Sequence, residues 1–169
     1  MEPSAFQTQS ASYLRTDYLP RIERAIAPLT LEQIWWRPNE ASNSIGNLML
    51  HLAGNVRQWI VGGVGRNDMT RDRDLEFSTR EQIDVTTLNA TLRAAVDEAC
   101  RVIDDVTDAQ LQEPRTIQRF DTTVFGAIYH VVEHFAMHTG QIILLAKAQT
   151  GKDSGFYRVR IDGTPERLF

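Results

Sequence analysis

The chain has 169 residues, 42% of them hydrophobic, enough for one core that hides about two-thirds of the unfolded surface. A single domain over residues 1–169 is therefore expected. Its 22 acidic and 18 basic side chains give a formal net charge of −4, which argues against nucleic acid as a partner.

Other features of the composition narrow the setting. Arg66, Arg71 and Arg73 are interleaved with Asp68, Asp72, Asp74 and Glu76, a pattern that reads as a self-neutralising loop and not as a phosphate track. The one cysteine, Cys100, excludes an internal disulfide and fits a reducing compartment. Met1-Glu2-Pro3-Ser4 lacks the basic and apolar regions of a signal peptide. No apolar run approaches ~18 residues, so a cytoplasmic protein with no membrane partner is expected.

Four segments carry helical periodicity. The first spans about Phe6 to Leu29, with Phe6, Tyr13, Tyr18, Ile22, Ile26 and Leu29 on one side. Pro20 predicts a kink, or two separate pieces, because it removes a helix hydrogen bond. The second runs from about Ser44 to Val61, capped by Asn43 or Ser44, with Ile45, Leu48, Leu52, Val56, Trp59 and Ile60 as its apolar stripe. Gly62 to Val85 reads as a long connection with room for a short helix. The third helix, about Thr87 to Val106, has the clearest amphipathic pattern: Leu88, Leu92, Ala95, Val96, Ala99, Ile103 and Val106. Pro114 to Phe120 is a break with Thr116-Ile117-Gln118 briefly extended. Asp121 or Thr122 is expected to cap a fourth helix that runs to about Gln149, with Gly151 as its stop signal. The tail from Gly155 to Phe169 alternates over Phe156 to Ile161 and is expected to pack across the helices without forming a sheet. The fold class that follows is all-α, a four-helix bundle.

The four histidines carry the chemistry. His130, His134 and His138 recur at i, i+4 and i+8, within an arc of about 80° that also holds Ala127, Val131 and Leu145. They point inward, where polar groups need partners. Two imidazoles at i and i+4 can share one ion, and His51, beside the apolar stripe of the second helix, is the remaining histidine. Three histidines with an open position suit a catalytic metal better than a closed structural one. A lone inward histidine is more commonly a hydrogen-bonded core residue, and it is the grouping that favours ligation. His130 reads as a non-ligand, because one helix rarely aims three consecutive turns at one ion. A di-iron site would need Glu-x-x-His, which is absent, and Glu133 points about 100° away from His134. Bis-histidine haem leaves the third ring unexplained. Asn47 and Asn55 flank His51 by one turn and Gln141 follows His138 by three, so these amides are candidates to orient the rings. Trp35, Trp36 and Trp59 read as packing anchors, and Gly140 as a point of close helix approach.

Two stretches resemble a known family. Ser44-Ile45-Gly46-Asn47-Leu48-Met49-Leu50-His51-Leu52-Ala53-Gly54-Asn55 is similar to the second helix of the DinB-like (YfiT-like) superfamily. His130-Val131-Val132-Glu133-His134-Phe135-Ala136-Met137-His138-Thr139-Gly140-Gln141-Ile142 is similar to its last core helix. Arg71-Asp72-Arg73-Asp74 with Glu76-Phe77, and Gly155-Phe156-Tyr157, look like one uncharacterised bacterial branch. The resemblance implies an up-down-down-up bundle, one divalent metal ion, zinc or nickel, on His51, His134 and His138, and a homodimer. Relatives often carry Arg before Gly140, where this chain has Thr139, so an anion contact there is not carried over.

The resemblance also frames the activity. Characterised members include S-transferases that use bacillithiol, mycothiol or glutathione, and a mycothiol-dependent maleylpyruvate isomerase; others are described as metal-dependent hydrolases. Three readings follow for this chain. The first is a metal-dependent thiol S-transferase or isomerase taking a low-molecular-weight thiol, with Arg57, Arg71 or Arg73 available for a carboxylate of thiol or substrate. The second is a metal-dependent hydrolase. The third is a non-catalytic metal-binding stress protein.

Overall fold

In a computed structural model, which describes residues 4–169, the chain is mostly helical with two small hairpins. Helix α1 covers residues 5–26: α-helical Ala5–Ser12 and Leu19–Ile26 flank a π-helical stretch, Tyr13–Tyr18. The widened turns answer the Pro20 problem. The Leu19 N–H reaches back five residues to the Leu14 carbonyl, and Pro20 then sits at the start of the next α-turns, where its missing N–H costs little. The helical path is therefore continuous through the expected break.

The short helix α2, Leu31–Trp35, is capped by Thr30, whose hydroxyl accepts from Gln33 N at 3.2 Å. Trp35 donates its indole N–H to the Ile83 carbonyl at 3.0 Å and lies flat on Gly46, where a Cβ would come within 2.8 Å of the ring. Trp59 is buried as expected of an anchor, but Trp36 is 42% exposed, unlike a core anchor.

Helix α3 covers residues 45–64, α-helical over Ile45–Val56 and π-helical over Arg57–Val64. Ser44 caps it, accepting from Asn47 N at 3.1 Å. The connection that follows contains α4, Arg73–Ser78, capped by Asp72. Helix α5, Val85–Asp105, is capped by Asp84 and buries Leu88, Leu92, Ala95, Val96, Ala99, Cys100 and Ile103, the face read from its periodicity.

The segment before the last long helix is more ordered than expected. Strands β1, Pro114–Ile117, and β2, Phe120–Thr123, pair antiparallel with Ile117 opposite Phe120. Gln118 and Arg119 make the two-residue turn with φ of 53° and 69°, the geometry that matches strand twist. Asp121 and Thr122 are thus strand residues, and the cap of α6, Val124–Thr150, is Thr123, which accepts from Gly126 N at 3.1 Å. Gly151, with φ of 64°, ends α6 in the left-handed conformation as its position suggested.

The tail corrects a second expectation. It does form a sheet: β3, Tyr157–Val159, pairs with β4, Pro165–Arg167. The alternation of Arg158 and Arg160 places both guanidiniums beside Glu166, and Gly163 at φ 83° turns the chain. This hairpin still lies across α1. Arg21 sits over the Phe169 ring at 4.8 Å and donates to the Tyr157 hydroxyl at 2.6 Å.

Contacts along the long helices fix their directions. Gln7 meets the Val106 carbonyl and Ala11 meets Cys100, so α1 and α5 are antiparallel. Phe6 stacks on Phe125 and Tyr18 faces Phe135, so α1 and α6 are parallel. His51 lies against His134 and His138 while Trp59 lies against His130, so α3 and α6 are antiparallel. The core between them is a continuous apolar cluster that includes Leu14, Ile22, Leu52, Ile60, Leu92, Val131 and Phe135. Gly140 is not a point of helix approach inside the chain, since nothing lies within 4 Å of where its Cβ would be.

Cys100 reports on this packing. It is fully buried against the Ala11 carbonyl at 3.6 Å, and burial pushes its thiol up to about 11. A thiol reagent at pH 8 should therefore modify Cys100 only as the chain unfolds, with a rate that follows unfolding across a denaturant series. Rapid labelling of the native protein, followed by mass spectrometry, would contradict the packing of α1 on α5.

Candidate metal centre

The three histidines singled out by sequence come together. His51 projects from α3, and His134 and His138 project from adjacent turns of α6. The His134 Nε2 lies 3.2 Å from the Nε2 of His51 and 3.2 Å from that of His138. All three offer ligand atoms within 4.8 Å of one another. A tetrahedral cation with N ligands at about 2.0–2.1 Å would hold them about 3.3 Å apart, so the spacing matches a shared ion.

Protonation favours the same reading. Burial, followed by the neighbouring rings of His138, His51 and His130, pushes His134 down to about 3. Burial also lowers His138, against the opposing hydrogen bond to Gln141. His134 and His138 are therefore neutral near pH 7, as a metal requires.

What stands behind each ring decides which nitrogen faces the centre. His51 Nδ1 lies 3.0 Å from Glu76 Oε2, and the Phe77 ring covers His51 at 4.5 Å. Glu76 is in turn held by Arg71, which donates from Nε to Oε1 and from a terminal nitrogen to Oε2, both at 2.7 Å. The same terminal nitrogen is 3.1 Å from His51 Nδ1. Nδ1 can donate to the carboxylate or accept from the guanidinium, and donation to Glu76 is the tautomer that leaves His51 Nε2 bare for a cation. Burial pushes the Glu76 carboxyl up, but the hydrogen bonds from Arg71 and His51 outweigh it and hold the group below its ordinary value. His138 donates Nδ1–H to Gln141 Oε1 at 2.7 Å, as its spacing suggested. His134 Nδ1 is buried and has no partner.

Several residues differ from their sequence reading. The Asn47 side chain makes no hydrogen bond to the His51 ring. Its oxygen closes the α3 cap, and its Nδ2 donates to the Glu76 and Thr79 carbonyls at 2.9 and 3.1 Å, which ties α4 to α3. His130 is half-buried, packs against Trp59 with ring centroids 4.1 Å apart and planes tilted by 42°, and stands outside the cluster of three. Arg71 is committed to Glu76, Gln58 and His51, so it is not free to bind a carboxylate. Arg73 lies over Phe77 at 4.9 Å. Arg57 pairs loosely with Glu98 at 3.5 Å and lines a cavity of about 300 Å³ with Gly54, Gln58, Arg71, Leu75 and Glu76.

Glu76, Arg71, Phe77 and Gly54 form the part of the site that periodicity did not reveal. Glu76 is 25 residues from His51, in the stretch read as a self-neutralising loop. The signal lay in the Arg71-to-Phe77 run itself, of which Arg71 and Glu76 turn inward while Asp72, Arg73 and Asp74 stay exposed. Gly54 makes room for it: a Cβ there would sit 1.9 Å from Glu76 Oε1 and 2.9 Å from Arg71 Nε. Hence Gly54→Ala should push the carboxylate off His51 without touching a ligand. Gly54→Ala and Glu76→Ala should each weaken divalent-metal binding about 10–100-fold, measured by competition with a chromophoric chelator. Unchanged affinity in both would show that Glu76 does not orient His51.

Comparisons with known proteins agree with the fold and leave the chemistry open. No curated protein matches the chain. A conserved protein from Enterococcus faecalis, known from its crystal structure, superposes with a TM-score of 0.72 over 86% of this chain and 97% of that one, at 17% identity. At that identity the likeness speaks for the fold alone. The model of a family described as a protein of unknown function matches residues 7–160, so the chain belongs to the DUF1572 family.

Proposed function

We propose that this chain is a single DinB-like domain over residues 1–169, an up-down-down-up four-helix bundle. In this reading it holds one divalent metal ion, zinc or nickel, on His51, His134 and His138. It acts as a thiol S-transferase or isomerase that takes a low-molecular-weight thiol in the cytoplasm. The observation that carries this is the meeting of three imidazole Nε2 atoms from two antiparallel helices, spaced 3.2 Å about His134. An exposed apolar strip on α6, with Tyr129, Met137 and Leu144 about the open Gly140, supports the homodimer that accompanies the reading.

When bound, the cation supplies positive charge that stabilises the thiolate form of a nearby thiol. The chain's own residues do the rest. Three protein nitrogens leave at least one position of a four-coordinate ion for an exogenous group. Glu76 and Gln141 fix the tautomers of His51 and His138, so their Nε2 lone pairs stay available. The thiol must come from outside, because Cys100 is buried with its thiol pushed up to about 11. In the transfer step the sulfur of that thiol forms a bond to an electrophilic carbon, the bond to the leaving group breaks, and the thiol proton passes to solvent. The thiol reading is favoured over hydrolysis because Glu76, the carboxylate nearest the rings, has both oxygens engaged by Arg71 and His51 and is not free to act as a base.

Two measurements test this. Elemental analysis of untagged protein should find about one zinc or nickel per chain, and the His134→Ala/His138→Ala double variant should lose it; equal metal in both would remove the site. A panel of low-molecular-weight thiols with a generic electrophile should then show conjugation at least about tenfold faster with metal-loaded protein than with the double variant. Metal binding with no thiol-dependent rate would leave a non-catalytic metal protein, and ester or amide turnover would shift the reading to a hydrolase.

A further inference from the structure

Among the described residues, four buried side-chain atoms have no hydrogen-bond partner: Asn55 Oδ1, Trp59 Nε1, Asn89 Oδ1 and His134 Nδ1. Buried polar atoms are rarely left unpaired, so each asks for an explanation. Asn89 lies apart on α5. The other three fall in one place. His51, Asn55 and Trp59 occupy successive turns of α3, with Asn55 about 40° round the axis from His51 and Trp59 further along the same arc in the wider π-helical turns. Both ends of that arc face α6, since His51 Nε2 is 3.2 Å from His134 Nε2 and the Trp59 ring is 4.1 Å from the His130 ring. Because α3 and α6 run antiparallel, Asn55 stands between these contacts, opposite the turn from His130 to His134.

The three atoms are also chemically complementary. With Nε2 turned toward the cation, His134 carries its hydrogen on Nδ1 and is a donor there. The Trp59 indole N–H is a donor only, and a side-chain carbonyl has two lone pairs. One amide oxygen can therefore serve both donors. We infer that Asn55 is the positioning residue for His134. Its Oδ1, which bonds neither group directly in this geometry, accepts the His134 Nδ1–H through one bridging water and takes the Trp59 N–H as its second donor after a small side-chain adjustment. The inference rests on the metal-centre reading above. It completes a set in which every ring has its own oxygen behind it: Glu76 for His51, Gln141 for His138 and Asn55 for His134. It also explains a buried asparagine at this level of an otherwise apolar helix face, between Leu52 and Trp59.

The test is a cobalt(II) titration, in competition with a chelator, of wild type, Asn55→Leu and Asn55→Asp. Leucine fills similar volume without an acceptor and should weaken binding about 10–100-fold, while aspartate keeps an oxygen in place and should stay within about threefold of wild type. A ¹⁵N-resolved NMR spectrum of wild type should show the His134 Nδ1–H protected from solvent exchange, with that protection retained in Asn55→Asp and lost in Asn55→Leu. Equal cobalt affinity in wild type and Asn55→Leu, or an unprotected His134 Nδ1–H in wild type, would overturn the assignment. If wild type takes up no cobalt, the metal reading fails, and the NMR comparison on the apo protein still decides the hydrogen bond. Should Asn55→Leu not fold, the wild-type spectrum and Asn55→Asp decide it.

Discussion

Arg71, Glu76 and His51 form one buried chain of charge and hydrogen bonds, and the geometry of the candidate centre depends on it. The guanidinium grips the carboxylate with two 2.7 Å contacts, and the carboxylate grips the imidazole at 3.0 Å. The side chains of Arg71 and Glu76 are only 5% and 10% exposed, so water is a poor substitute for the partner each has in the other. Removing one member of such a pair typically costs about 3–5 kcal/mol, because the other is left buried and uncompensated. That cost is what keeps a carboxylate on the short helix α4 in place behind a ring on α3. Gly54 and Asn47 belong to the same device. One leaves space on α3 for the pair, and the other pins the backbone of α4 that carries it.

The same logic explains why polar groups are tolerated so deep between α3 and α6. A bare imidazole among leucines is a liability, and three of them pressed together repel when protonated. Burial and mutual proximity keep His134 and His138 neutral, and neutral rings with hydrogens directed outward present lone pairs inward. A cation is the partner that such an arrangement can satisfy at once. The apolar surroundings then strengthen any charge interaction within the site.

The helix interruptions fall near the functional face. The π-helical stretch of α3 begins at Arg57, two turns after His51, and carries Trp59 against His130. Widened turns of this kind commonly mark sites where side-chain direction matters more than regular hydrogen bonding. The one in α1 has a simpler cause in Pro20. There the wider pattern lets the helix pass a residue with no N–H, and the Leu14 and Leu19 side chains stay in the core.

The amino-acid pattern alone determined the long helices, their apolar faces, the Ser44 cap and the Gly151 stop, because periodicity and capping are local: spacing of three and four residues marks a helix face wherever the chain goes. It also determined that His51, His134 and His138 point inward, since a 100° step per residue fixes direction relative to neighbouring apolar side chains. It missed both hairpins, because short strands are stabilised by cross-strand partners such as Ile117 with Phe120 and Arg158 with Glu166, which a one-dimensional pattern does not pair. Only the tertiary structure decided that Glu76 and Arg71 turn inward from a stretch whose composition looks fully solvated. Their burial depends on the space left by Gly54 on another helix and on the backbone anchored by Asn47, 29 residues earlier. A charge's environment is set by which surfaces pack against it, and that is decided by the fold.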